Sequence, residues 1–316
     1  MSQIHNILVG VDLHHGDRIA SSELEPEARA AIEEAIRLAL VSGGTITFCS
    51  VLELSTQSQS LIEKDRENIL KTVEDFANNT LSSLVESANA KGVAAESTLR
   101  FGSAWEELSK ETAEGGYDLV LIGTRSRSRA TTMLFGSSAQ KLMRFAPCPV
   151  WVVKPTEVRE IREIAVATDL SDACLPALKV AATVARAINA KLFILHVLET
   201  GDLRYLAIAG VEEEELLDTE AQLKQTAEVK LKDQLGKVNL GGLRHGMQTE
   251  ILSGDPDSAI PTFVAEHEID LLVIGTQGRS LLSGLLLGNT AERILPALRA
   301  SLVAVKPEGF VSPYAK

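Results

Sequence analysis

Along the chain, short apolar runs alternate with longer stretches in which apolar and polar positions recur at helical spacing. The runs Ile7–Val11, Thr45–Val51, Leu119–Ile122 and Val150–Val153 read as strands buried on both faces, as a parallel sheet requires. The runs Ile164–Thr168, Lys191–Leu198, Leu271–Ile274 and Leu302–Val305 repeat that reading further on, and Ala95–Leu99 and Gln248–Leu252 add a strand to each set. Between them Pro26–Leu40, Leu61–Ala90, Leu175–Ile188 and Glu212–Leu235 read as amphipathic helices. Strands alternating with helices of this length predict right-handed βαβ crossovers and a doubly wound parallel sheet, an α/β fold.

The pattern occurs twice. Ile7–Leu13 aligns with Ile164–Leu170, Gly43–Glu53 with Asn189–Glu199, Asp118–Thr124 (DLVLIGT) with Asp270–Thr276 (DLLVIGT), and Val153–Pro155 with Val305–Pro307. The changing offsets locate about 11 extra residues after Asp12 in the first copy and about six before DLLVIGT in the second. Two homologous domains are expected, residues 1–156 and 157–316.

A length of 316 residues suits two domains of common size. With 45% apolar and 23% charged residues, the chain reads as a soluble globular protein. Aromatic residues make up only 4%, which argues against an aromatic cage or a base-stacking platform. No apolar run approaches the roughly 18 residues of a membrane span, and the N-terminus lacks the basic and apolar regions of a secretory signal. The net charge of −12 is spread evenly, with 15 basic and 21 acidic residues up to Glu157 and 16 and 22 beyond it. Such a chain repels phosphate backbones, so nucleic-acid binding is disfavoured. Cys49, Cys148 and Cys174 are odd in number and widely spaced, fitting neither a disulfide framework nor a zinc site. A cytoplasmic protein without nucleic-acid or membrane partners is expected.

In doubly wound sheets ligands bind outside the carboxyl ends of the strands, where the strand order reverses. Residues just after each strand therefore matter most. The second copy places Asp169 after its first strand, Val197 at the end of its second and Gly275-Thr-Gln-Gly278 after its fourth. Nine residues later comes Gly288-Asn289-Thr290 at a helix start. The first copy has Asp12, Val51, Gly123-Thr-Arg-Ser126 and, after the same interval, Gly136-Ser137-Ser138. Glycines let backbone amides approach an anion closely, and a polar residue at a helix start offers free N–H groups to phosphate. A carboxylate after the first strand suits ribose hydroxyls. These features describe a nucleotide with its base toward the second strand and its phosphates toward residues 278–290.

The spacing G-x2-G-x9-G followed by a small polar residue resembles the ATP-binding motif of universal stress proteins. The segments ATDLSDACLPAL, ILHVLE and LGNTAERILPALRASLVAVKP look like that family as well. The resemblance covers nearly the whole chain, in two copies, and points to the tandem-domain type. It implies two flavodoxin-like or Rossmann-like domains acting in stress responses without a clear catalytic activity. It implies that Asp169 and Val197 contact adenosine, while Gly275, Gly278, Gly288, Asn289 and Thr290 hold phosphates. Asp12, Val51, Gly123, Gly136, Ser137 and Ser138 are the matching positions of a weaker site. The implied ligand is ATP, with ADP and AMP left open, with or without Mg2+.

Ser126 stands where the motif wants its second glycine, and Asn289 stands where many ATP binders have Ser, a change that helix capping tolerates. The second copy is therefore the better nucleotide site. Several residues have plainer readings. Asp12 and Asp169 also suit helix capping, and His196 reads as a core histidine. The apolar connection Arg204–Val211 suits a pocket wall or packing between the domains. No Walker A, GxGxxG or adenylating-ligase loop is present, so any enzymatic activity is limited to slow ATP hydrolysis. A nucleotide-free interaction scaffold, or a binder of another small ligand, is the alternative. The runs VWVVK and LVAVK read as edge strands needing cover. The resemblance implies that they pair within the chain as an internal pseudo-dimer, leaving a homodimer and an unidentified protein partner open.

Overall fold

The apolar runs form strands because both of their faces are covered: Ile7, Leu8, Val9, Ile164, Ala165 and Val166 have no exposed surface. The computed structural model describes residues 4–13, 24–53, 66–124, 135–155, 160–277 and 288–315. They fall into two compact units.

In the first unit the elements follow as β1 (Asn6–Gly10), α1 (Pro26–Ser42), β2 (Thr45–Leu52), α2 (Arg66–Ala90) and β3 (Ala95–Phe101). Then come α3 (Ala104–Gly115), β4 (Leu119–Gly123), α4 (Ser137–Phe145) and β5 (Val150–Val153). All the strand pairs in this unit are parallel, in the order β3-β2-β1-β4-β5. Ile7 lies opposite both Ile46 and Leu119.

The second unit repeats the plan with β6 (Glu163–Ala167), a single 3-10 turn (Asp172–Cys174), α5 (Leu175–Ile188) and β7 (Lys191–Leu198). It continues with α6 (Gly201–Ile208), α7 (Glu213–Gly236), β8 (Met247–Ser253), α8 (Pro256–Glu266), β9 (Leu271–Gly275), α9 (Asn289–Ile294) and β10 (Ser301–Val305). The order is β8-β7-β6-β9-β10, again parallel, with Ile164 opposite Leu192 and Leu271. In each unit the first strand lies between the second and the fourth. That is the doubly wound arrangement, with its crevice above the carboxyl ends of the first and fourth strands.

The duplication extends to backbone detail. Helix α1 ends at Gly43 with φ +67°, and α5 ends at Asn189, its aligned counterpart, with φ +57°. Asn is a residue that tolerates this left-handed cap, so the same stop is built from two side chains.

Three helices depart from the sequence reading. Helices α3 and α8, between the third and fourth strands, are not among the stretches read as helices, although α8 buries Ile260, Phe263 and Val264 at helical spacing. The Arg204–Val211 segment is largely helical, as part of α6, and residues 205–210 are exposed, not buried: Tyr205 is 74% and Ile208 85% accessible.

The residues Val311–Ala315 follow the second unit in sequence but belong to the first. Ser312 Oγ donates to the Phe145 carbonyl at 2.7 Å. The Tyr314 ring packs edge-on against Trp105 and Phe145, with centroids 6.3 and 6.1 Å away. No described helix is long and apolar enough to cross a membrane.

Candidate functional site

Beyond β6 the chain turns sharply through Thr168, Asp169 and Leu170, with Leu170 in the left-handed region at φ +65°. The turn is fixed by its own side chains. Thr168 Oγ1 accepts from the Leu170 N–H at 3.0 Å. Asp169 Oδ1 accepts from the Ser171 N–H at 2.9 Å, the Ser171 hydroxyl at 2.6 Å and the Cys174 thiol at 3.1 Å. Asp169 therefore closes an Asx turn instead of capping the helix that follows, and the turn holds its carboxylate against the crevice.

A second layer secures this loop from α7. Gln234, 2% exposed, accepts from Thr168 Oγ1 at 2.8 Å and donates to the Ser171 carbonyl at 2.7 Å. His196, near the end of β7, is buried with Nδ1 2.9 Å from the Thr168 carbonyl. It is the satisfied core histidine that the sequence suggests, and it ties the ends of β6 and β7 together.

Across the crevice, the Gly288 N–H donates to the Thr276 carbonyl at 2.8 Å, bringing the chain back to the end of β9. Gly288 is the N-cap of α9, and no side chain caps that helix. Asn289 occupies the first helical position rather than the cap, so its side chain does not close the helix start.

Between these walls lies a cavity of about 550 Å³, within the range of small-ligand sites. Asp169, Val197, Gly275, Gly288, Asn289 and Thr290 all line it. Gly278 lies outside the described residues. The sequence reading missed one wall: Leu223, Thr226, Ala227 and Lys230 of α7 also face the cavity. Their spacing is i, i+3, i+4, i+7, continued by Gln234, so a helical stripe marked them. The stripe itself mixes apolar and polar side chains, and most other positions of α7 are exposed, which concealed it. Glu199 and Asp169 bring carboxylates to the wall, and Lys230 brings an ammonium. Burial, reinforced by Asp169, pushes the Cys174 thiol up to about 11. It therefore stays protonated near neutral pH and serves as a donor to Asp169. Among the described residues no group of three or more His, Cys, Asp or Glu gathers as a metal site.

The first unit places Asp12, Val51, Gly123, Gly136, Ser137 and Ser138 at the corresponding strand ends and helix start; Ser126 lies outside the described residues. Asp12 is exposed there, Val51 is buried, and Gly136 is the N-cap of α4. The two fourth-strand glycines have different surroundings. A Cβ on Gly123 would lie 2.6 Å from the backbone carbonyl of Glu27, because the start of α1 presses against it. A Cβ on Gly275 would meet nothing closer than Gln277 O at 3.4 Å and Cys174 Sγ at 3.5 Å. Glycine at 123 is demanded by protein packing, whereas at 275 a methyl group would meet only ordinary contacts beside the cavity.

The family model described as "Universal stress protein family" matches residues 3–154 and again 160–306. Universal stress protein E of Photorhabdus laumondii is 24% identical over 336 residues, spanning 99% of this chain and 98% of its own. Universal stress protein E of Escherichia coli K12 is 24% identical over 329 residues, with 99% and 97% covered. The crystal structure of a universal stress protein from Archaeoglobus fulgidus superposes with a TM-score of 0.68 at 20% identity, covering 96% of this chain and 99% of that one. That likeness is one of fold.

Proposed function

This chain belongs to the universal stress protein family, as a tandem member of it, and from that premise we propose that its second unit binds an adenine nucleotide, ATP foremost. The reading rests on one observation. Asp169, Val197, Gly275, Gly288, Asn289 and Thr290, separated by up to 121 positions, converge on a single cavity at the strand ends.

The residues fit such a ligand. The first-turn N–H groups of α9 have no side-chain cap and favour an anion. Gly275 and Gly288 put backbone rather than side chains beside them. On the opposite side, Val197 offers an apolar contact for the base and Asp169 an acceptor for ribose hydroxyls. Mg2+, when bound with the triphosphate, would offset the phosphate charge near the Asp169 and Glu199 carboxylates.

The role we assign is non-catalytic: nucleotide occupancy alters partner binding in a stress response, from a cytoplasmic location. The first unit, with α1 pressed against Gly123, is assigned a supporting role.

Titration calorimetry of nucleotide-stripped protein with ATP and Mg2+ tests this. One site per chain is expected. Two sites would make the first unit functional as well, and no heat at two temperatures would overturn the nucleotide reading.

A further inference from the structure

Helix α6 and the start of α7 form a surface that the nucleotide site does not use. Tyr205 and Ile208, three residues apart on one face of α6, are 74% and 85% exposed, and Leu217 on α7 is 60% exposed. None of the three lines the cavity. Large apolar side chains left this open, and grouped on adjacent elements, mark an interaction site more often than chance. Tyr is moreover a residue that anchors interfaces.

The charge along their own segment is one-sided. Asp202, Glu212–Glu215 and Asp218 are all exposed, and Arg204 is the only basic residue in 201–223. Four consecutive glutamates exceed what one helix start needs for its dipole. An anionic membrane surface and nucleic acid are both repelled by such a rim. A second copy pairing symmetrically would set these carboxylates against themselves. A basic amphipathic helix instead meets both features at once, its apolar stripe on Tyr205 and Ile208 and its Lys or Arg flanks on the glutamates.

We propose that the α6–α7 corner is a docking surface for a basic amphipathic helical segment of another protein. The surface stands independently of nucleotide binding, so its test uses the protein without nucleotide.

The probe is a fluorescein-labelled Leu/Lys amphipathic peptide of about 18 residues, long enough for five helical turns. A Leu/Glu peptide with the same apolar stripe is the control. Anisotropy titrations of the full chain at about 0.15 M salt should show saturable binding of the basic peptide only. The variant Tyr205→Ser/Ile208→Ser should weaken it at least tenfold with an unchanged circular dichroism melt, since both side chains are exposed. Glu213→Gln/Glu214→Gln/Glu215→Gln should weaken it and flatten its salt dependence.

Absence of binding, equal binding of both peptides, or undiminished binding to the Tyr205/Ile208 variant would each overturn the proposal. So would concentration-dependent self-association in sedimentation that the same variant abolishes, which would assign the surface to a second copy.

Discussion

Gln234 and Thr168, 66 residues apart, share a buried 2.8 Å hydrogen bond that fixes the loop after β6 to α7. The same Gln234 side chain donates to the Ser171 carbonyl, so one amide holds both ends of the turn that carries Asp169. Gln234→Leu preserves bulk and removes both bonds, leaving a buried hydroxyl and a carbonyl without this partner. A loss of about 1–3 kcal/mol is expected, read from urea unfolding of the variant against the parent. Unchanged stability would mean that water replaces the amide without penalty.

The paired glycines supply an internal control. Gly123→Ala forces a methyl into the Glu27 backbone at 2.6 Å, and should destabilise by about 1–3 kcal/mol. Gly275→Ala meets only ordinary contacts and should change stability by less than about 0.5 kcal/mol. Thermal melts of the two single variants, side by side, decide the matter; equal effects would contradict it.

Gly288→Glu addresses the ligand. At φ −52° the position accepts a side chain, although its Cβ would sit 3.3 Å from the Thr276 carbonyl oxygen and needs slight relaxation. Folding should survive by circular dichroism. ATP affinity should fall by at least about 2 kcal/mol, because a carboxylate would stand where the proposed nucleotide would place its phosphates. Retained affinity would place any nucleotide elsewhere.

Three buried thiols give the protein an alkaline limit. Burial pushes Cys49 and Cys148 up to about 12 and Cys174 up to about 11. The folded state keeps these protons while the unfolded state loses them, so stability is full below the ordinary thiol range. It declines as pH rises from about 9 toward 11–12, by up to about 1.4 kcal/mol per pH unit for each thiol. Urea midpoints at successive pH values from 8 to 10.5 should fall, and Cys49→Ala/Cys148→Ala/Cys174→Ala should flatten the trend.

Deleting 311–316 should weaken the first unit selectively, by about 1–3 kcal/mol, since Trp105 and Phe145 lose the Tyr314 ring. Trp105 and Trp151, the only two tryptophans, both lie in that unit. Tryptophan fluorescence, excited selectively over tyrosine, therefore reports on it alone. A parent-like fluorescence melt would show the tail to be dispensable.

The strands were legible because burial on both faces leaves continuous apolar runs such as Ile164–Thr168, and the crevice residues were legible because they follow strands at fixed intervals. Spacing alone could not say what each residue touches. Gly123 and Gly275 occupy the same motif position, yet one is pressed against α1 and the other has room for a methyl group at ordinary contact. Helix α7 was found as a helix but not as a wall. Its cavity-facing stripe of Leu223, Thr226, Ala227 and Lys230 is mixed in polarity, and an apolar-stripe criterion passes over it. Val311–Ala315 carried no periodic signal, and only a contact distant in sequence assigns them to the first unit.

That assignment bears on the chain as it is synthesised. Trp105 and Phe145 leave the ribosome long before Tyr314, with some 170 residues translated after Phe145 in about ten to thirty seconds. Throughout that interval the first unit carries an uncovered aromatic pair, and its last contact waits until the whole of the second unit has emerged.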